Sequence, residues 1–100
     1  MSDSAAVLRL LGLARRAGVL RMGAGPVLRA LARERRGLVF LARDAGADLV
    51  RKVERDGSGH RVERIFDGQE LADAFGREKL NVVSVHEPGF LKGLLEQLHD

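Results

Sequence analysis

The run Leu38-Val39-Phe40-Leu41-Ala42 constrains this chain more than any other feature. Five consecutive apolar residues between Gly37 and Arg43-Asp44 have the length of a strand, not of a helix. A strand without a polar face must be covered on both sides, which calls for helices above and below a sheet. Residues 81–85 read the same way, 61–66 form a weaker strand, and 19–22 a short extended piece. Between these segments the apolar spacing turns helical. Ser4 caps a helix to about Ala17, in which Val7, Leu11 and Ala14 recur at 4 and 3, Leu10 and Leu13 widen the apolar side, and Gly18 ends it. Gly23-Ala24-Gly25-Pro26 is a turn with Pro26 at the first helical position of a helix reaching about Arg35. Val27, Leu28 and Leu31 would face inward there, and Arg29, Arg33 and Arg36 outward. Asp44 caps the next helix, with Ala47, Val50 and Val53 inside, and residues 56–59 are a loop. Asp67-Gly68-Gln69-Glu70 has capping-box spacing ahead of Leu71 and Phe75, with Gly76 as the stop. Pro88 opens a last helix carrying the stripe Leu91, Leu94, Leu95, Leu98. The alternation predicts one α/β sandwich over residues 1–100, without repeat or linker.

Charge divides the chain unevenly. Residues 1–43 hold nine arginines and two acids, a net of +7, and the rest carries −4 within an overall +3. Such asymmetry points to a polyanion met by one side of the molecule. Arginine also outnumbers lysine 14 to 3, so a merely solvated arginine-rich surface is the competing reading. No cysteine is present, which excludes disulfides, thiolate zinc sites and a cysteine nucleophile, and makes a reducing, cytoplasmic setting the simple expectation. No apolar run approaches 18 residues, and Met1 to Arg9 holds acidic Asp3 but no charged region ahead of an apolar run. Neither a membrane span nor a secretory signal is therefore expected.

Catalytic groupings are thin. His60, His86 and His99 fall in a loop, near a strand end and at the terminus, without ligand spacing. Ser2, Ser4, Ser58 and Ser84 lack a nucleophile elbow. Asp44 and Asp48, one helical turn apart, could hold a cation or simply complement a helix N-terminus. Gly23-x-Gly25 falls short of a dinucleotide fingerprint because Leu28 stands where a third glycine is needed, and no Lys-Ser/Thr pair makes a P-loop. No enzyme, cofactor or metal is expected. Two glycines ahead of a helix let backbone approach a ligand, and the helix N-terminus offers N–H groups to an anion, bracketed by Arg21 and Arg29. A tight turn alone would also account for the glycines. Phe40, Phe66 and Phe75 sit at core-like positions, so no stacking platform for single strands is visible, and any RNA should be structured.

The run from Leu11-Gly12-Leu13-Ala14-Arg15-Arg16-Ala17-Gly18-Val19-Leu20 to Met22-Gly23 resembles the opening of the YlxQ-like bacterial proteins. These belong to the ribosomal-protein superfamily of kink-turn RNA binders, which includes large-subunit protein seven-Ae. The likeness continues through Val27-Leu28-Arg29-Ala30-Leu31, Leu38 to Ala45, Gly68-Gln69-Glu70-Leu71, Val82-Val83-Ser84-Val85 and Gly89-Phe90-Leu91-Lys92. It implies a three-layer α/β/α sandwich around a four-stranded mixed sheet. It also implies three RNA-facing regions gathered at one end of the sheet. The first is Gly23, Ala24, Gly25, Pro26 and Arg29; the second Arg43 and Asp44; the third His86, Glu87, Pro88 and Gly89. Where kink-turn binders carry Asn-Glu-x-x-Lys, this chain has Gly25, Pro26 and Arg29. Gly25 and Pro26 have no side chain to read a base edge, whereas Arg29 keeps the cation. Where the resemblance expects Gly near position 34 and a basic residue at 37, Glu34 and Gly37 stand.

The expectation is thus a monomeric, non-enzymatic protein binding structured RNA, a kink-turn or ribosomal RNA, in association with the ribosome or translation machinery. Arg21, Arg29 and Arg43 would neutralise phosphates, with Arg33, His86 and Lys92 at the rim. The alternative is a protein-interaction module of the same fold, using the last helix or the acidic second half, that has lost kink-turn recognition.

Overall fold

The computed structural model describes residues 3–98; Ser2 and His99 lie outside them. Along the chain run α1 (Ser4–Arg16), β1 (Leu20–Met22), α2 (Ala24–Arg33), β2 (Leu38–Leu41), α3 (Ala47–Asp56), β3 (Arg61–Glu63), α4 (Gly68–Ala74), β4 (Val82–Val85) and α5 (Pro88–Gln97). Every residue of β2 and β4 is buried, as expected of strands without a polar face. They pair antiparallel at the centre of the sheet, with Leu38 opposite Val85 and Leu41 opposite Val82. β1 flanks β4 antiparallel and β3 flanks β2 parallel, giving the mixed order β1-β4-β2-β3.

Strand alternation sends side chains to two cores. Leu38, Phe40, Val83 and Val85 meet Val7, Leu11 and Ala14 of α1, Leu71 of α4 and Leu94 of α5. Val39, Leu41 and Val82 meet Val27 and Leu31 of α2 and Val53 of α3. The molecule is therefore an α/β/α sandwich with three helices on one face and two on the other. Each fully buried Val, Leu or Phe contributes about 1.5–3 kcal/mol of transfer free energy, so the sheet centre is where the fold is held.

Several boundaries differ from the sequence reading. Asp3, not Ser4, caps α1, its Oδ1 accepting from Ala6 N at 3.0 Å. Gly18 ends α1 with φ 76°, where Gly18 N–H donates to Arg15 O and Val19 N–H to Ala14 O in a Schellman turn. α2 starts two residues before Pro26, which falls in the first turn, where a missing N–H costs nothing. It stops at Arg33, with Glu34 extended. Asp44 does not cap α3; Gly46 does, because the chain first makes a turn closed by Ala45 N–H to Ala42 O. Of the inner residues expected for α3, Val53 is buried, Val50 half-buried and Ala47 exposed. β3 stops at Glu63, though Phe66 O still accepts from Arg43 N at 2.9 Å. The Asp67–Glu70 capping box forms as its spacing required. On α5, Leu94 and Leu98 are buried and Leu91 half-buried, but Leu95 turns outward.

Candidate functional site

Strand direction fixes what can meet at each end of the sheet. β1, β2 and β3 all finish at one end, where β4 begins; Gly23 N–H there donates to Val82 O at 2.9 Å. This α2 end holds residues 23–29, 42–44, the start of α4 and the segment 77–81. β4 finishes at the other end, beside the starts of β2 and β3. This α5 end holds residues 34–37, His60, His86, Pro88 and Lys92. The two are separated by the length of β4, about 13 Å over four residues.

The three regions expected at one end are therefore not all together. The first two are; the loop 86–89 is not. β4 runs antiparallel to β2, so its exit lies where β2 enters, and His86 Nδ1–H donates to Arg36 O at 2.9 Å instead of approaching Gly23. Glu87 is committed to its own helix: its carboxylate caps α5, accepting from Gly89 N at 3.0 Å and Phe90 N at 2.7 Å. Those two amides, Phe90 foremost, hold the Glu87 carboxyl below its ordinary range.

At the α2 end, helix geometry leaves the first amides without intrahelical partners. Gly23, at φ 91°, has no side chain to cap them, and no acid stands in the first turn. Pro26 carries no N–H, and Val27 N–H closes on Gly23 O, so the amides of Ala24 and Gly25, both exposed residues, have no intrahelical partner. Arg29, one turn on, turns its guanidinium toward Gly25: a Cβ there would lie 3.3 Å from Arg29 Nη1, a few tenths of an ångström too tight. Gly25, which cannot read a base, thus leaves room for a cation beside the first turn.

Other expected cations are occupied or elsewhere. Arg43 donates to Ile65 O at 2.6 Å and to Glu70 at 3.1 Å, with Asp67 at 3.9 Å, and so pins β2 to α4. Asp44 Oδ1 accepts from Gly68 N at 2.8 Å, serving α4 rather than α3. Asp48 pairs with Lys52 at 3.0 Å, and the two acids thus have separate partners. Arg21 lies in edge strand β1 with its guanidinium turned back to Gly18 O at 3.4 Å, away from the α2 end. Arg33 is exposed in the last turn of α2, where a cation complements the helix C-terminus.

One segment escaped the sequence reading. Arg77, Lys79 and Asn81 line a shallow cleft of about 180 Å³ beside Gly23 and Ala24, with no carboxylate among its lining residues. All three are exposed. The Asn81 side-chain amide makes no hydrogen bond among the described residues, and its Oδ1 packs against Gly68 at the start of α4. The only sequence signal was two cations bracketing Glu78 just ahead of an apolar strand.

A solved structure of a protein with unknown function from Bacillus halodurans C is 33% identical to this chain. The match covers 91% of this chain and 94% of that one, with a TM-score of 0.79. The chain belongs to the same family as that protein. No protein-family model and no curated protein matches it.

Proposed function

We propose that this protein is a non-enzymatic binder of structured RNA, meeting it at the α2 end of the sheet. One observation carries the reading: the uncapped N-terminus of α2, with the Arg29 guanidinium turned toward Gly25 beside it. A helix N-terminus with amides that lack intrahelical partners and a flanking arginine suits a phosphate oxygen. Arg77 and Lys79 add two cations across the shallow cleft, and the Asn81 amide N–H can donate to an RNA oxygen. No aromatic ring lines that cleft, which fits a folded RNA met through its backbone better than unstacked bases. Two of the three regions that the resemblance to the kink-turn binders implies lie at this end of the sheet; a ribosomal or ribosome-associated RNA in the cytoplasm is the partner class it suggests. Arg43 and Asp44 shape the site indirectly by holding α4, and residues 86–89 take no part in it.

A filter-binding titration against kink-turn and ribosomal RNAs tests this. Affinity should fall with salt, each phosphate contact contributing about 0.7–0.9 to the slope of log K against log salt. Arg29→Ala should remove one such contact and weaken binding several-fold across RNA sequences. Binding that is flat with salt, or unchanged by Arg29→Ala, sinks the reading.

A further inference from the structure

An open cleft of about 590 Å³ lies at the α5 end, away from the proposed RNA surface. Arg35, Arg36, Arg61 and Lys92 stand around it, and no carboxylate lines it among the described residues. Arg61 is held by Glu63 at 2.6 Å. Arg35, Arg36 and Lys92 are exposed and make no ion pair among the described residues. Between the cations the surface is aliphatic: Pro88, Leu91 and Leu95, the last 42% exposed.

The wall behind the cations is braced. His60 Nε2–H donates to Glu34 O at 2.9 Å, and His86 Nδ1–H donates to Arg36 O. Each carbonyl can only accept, so each fixes the ring's tautomer, and the buried Nδ1 of His60 has no hydrogen-bond partner among the described residues. Ser84, fully buried, meets the other nitrogen of His86 at 2.8 Å. Gly37 passes between the two rings; a Cβ there would overlap His86 Nδ1 and lie 2.9 Å from His60 Cδ2. Arg35 and Arg36 are thus carried on a turn tied to the sheet.

We propose that this cleft docks a segment of a partner protein in which apolar side chains are flanked by carboxylates. Leu91, Leu95 and Pro88 take the apolar side chains out of water, and Arg35, Arg36 and Lys92 meet the carboxylates. A bare anion leaves Leu95 uncovered. Nucleic acid fits less well: Glu87 already places a carboxylate on the helix N-terminus here, and the ring among the lining residues, His86, is held in the wall by Arg36 O and Ser84 Oγ rather than offered as a stacking platform. The volume suits a few side chains of an extended segment.

Selection of random twelve-residue peptides displayed against the full chain tests the proposal. The winners should be enriched in Asp and Glu around Leu, Ile, Phe or Met. By fluorescence anisotropy, Leu95→Glu and Arg36→Glu should each weaken a labelled winner at least tenfold, with circular dichroism unchanged. In the unmodified chain, nuclear magnetic resonance shifts on adding that peptide should centre on Gly37, Leu91 and Leu95. Binding of kink-turn RNA should stay unaltered in both variants, which separates this cleft from the α2 end. Winners without acids, shifts elsewhere, displacement of the peptide by an RNA oligonucleotide or by a second copy of the chain, or no winner at all would overturn it.

Discussion

Two helices begin at opposite ends of one sheet, and only one of them carries its own anion. α5 opens on Glu87, whose carboxylate takes the amides of Gly89 and Phe90. α2 opens on Gly23, with no side-chain cap and Arg29 turned toward Gly25 in its first turn. A carboxylate in place leaves no room or charge for a phosphate; an uncapped end with an arginine keeps both. The glycines differ in the same way. Gly25 faces the far end of a flexible side chain, while Gly37 is wedged between two imidazoles held by backbone carbonyls. One end has a missing side chain that leaves a surface open, the other a missing side chain that lets a wall close.

The same substitution at the two glycines should separate them most sharply. Gly37→Ala should destabilise the fold by about 1–3 kcal/mol, since neither imidazole can give way without losing its carbonyl partner. Urea unfolding measures it, and an unchanged midpoint would mean that the His60–His86 wall is not tight. Arg29→Ala, which acts on RNA rather than on folding, should come next, at about 1 kcal/mol of binding. Gly25→Ala should be smaller and split: stability unchanged or raised by about 0.5 kcal/mol, as for alanine replacing a helical glycine, with slightly weaker RNA binding because the new Cβ pushes the Arg29 guanidinium aside by a few tenths of an ångström. If RNA affinity held after Gly25→Ala, the position of Arg29 beside the first turn would not matter.

Glu87→Gln tests the closed helix end through pH. The folded carboxyl is held low by Phe90 and Gly89, so its stabilising contribution is complete above the ordinary carboxylate range. That contribution is lost as pH falls through the lowered value. The variant should melt slightly below the parent at neutral pH, and the two should converge in acid. A gap that persists into acid would mean the charge is not what caps α5.

The order of elements was legible because burial on both sides of β2 and β4 leaves an unbroken apolar signal, and because helix spacing surrounds it. Side-chain N-caps were legible only where the spacing itself closes a ring, as at Asp67 and Glu70, whereas the glycine stop at Gly18 was legible from residue type alone. At Asp44 the residue type suited a cap, but its carboxylate found Gly68, which lies 24 residues later in sequence. Arg43 looked like a free cation for the same reason, and its partners, Ile65 and Glu70, are likewise remote. Arg77, Lys79 and Asn81 were passed over because nothing local ties them to Gly23; only the pairing of β1 with β4 brings them alongside.

The sequence by itself determined the sandwich, since strands with no polar face require helices on both sides, and it determined that positive charge gathers in the first 43 residues. The tertiary structure alone decided how that charge is divided. The antiparallel placement of β4 sends residues 86–89 away from Gly23 and sets them beside Arg35 and Arg36. Strand direction is a property of the assembled sheet: the hydrophobic pattern of a strand is the same read either way, but the end at which its loop emerges is not.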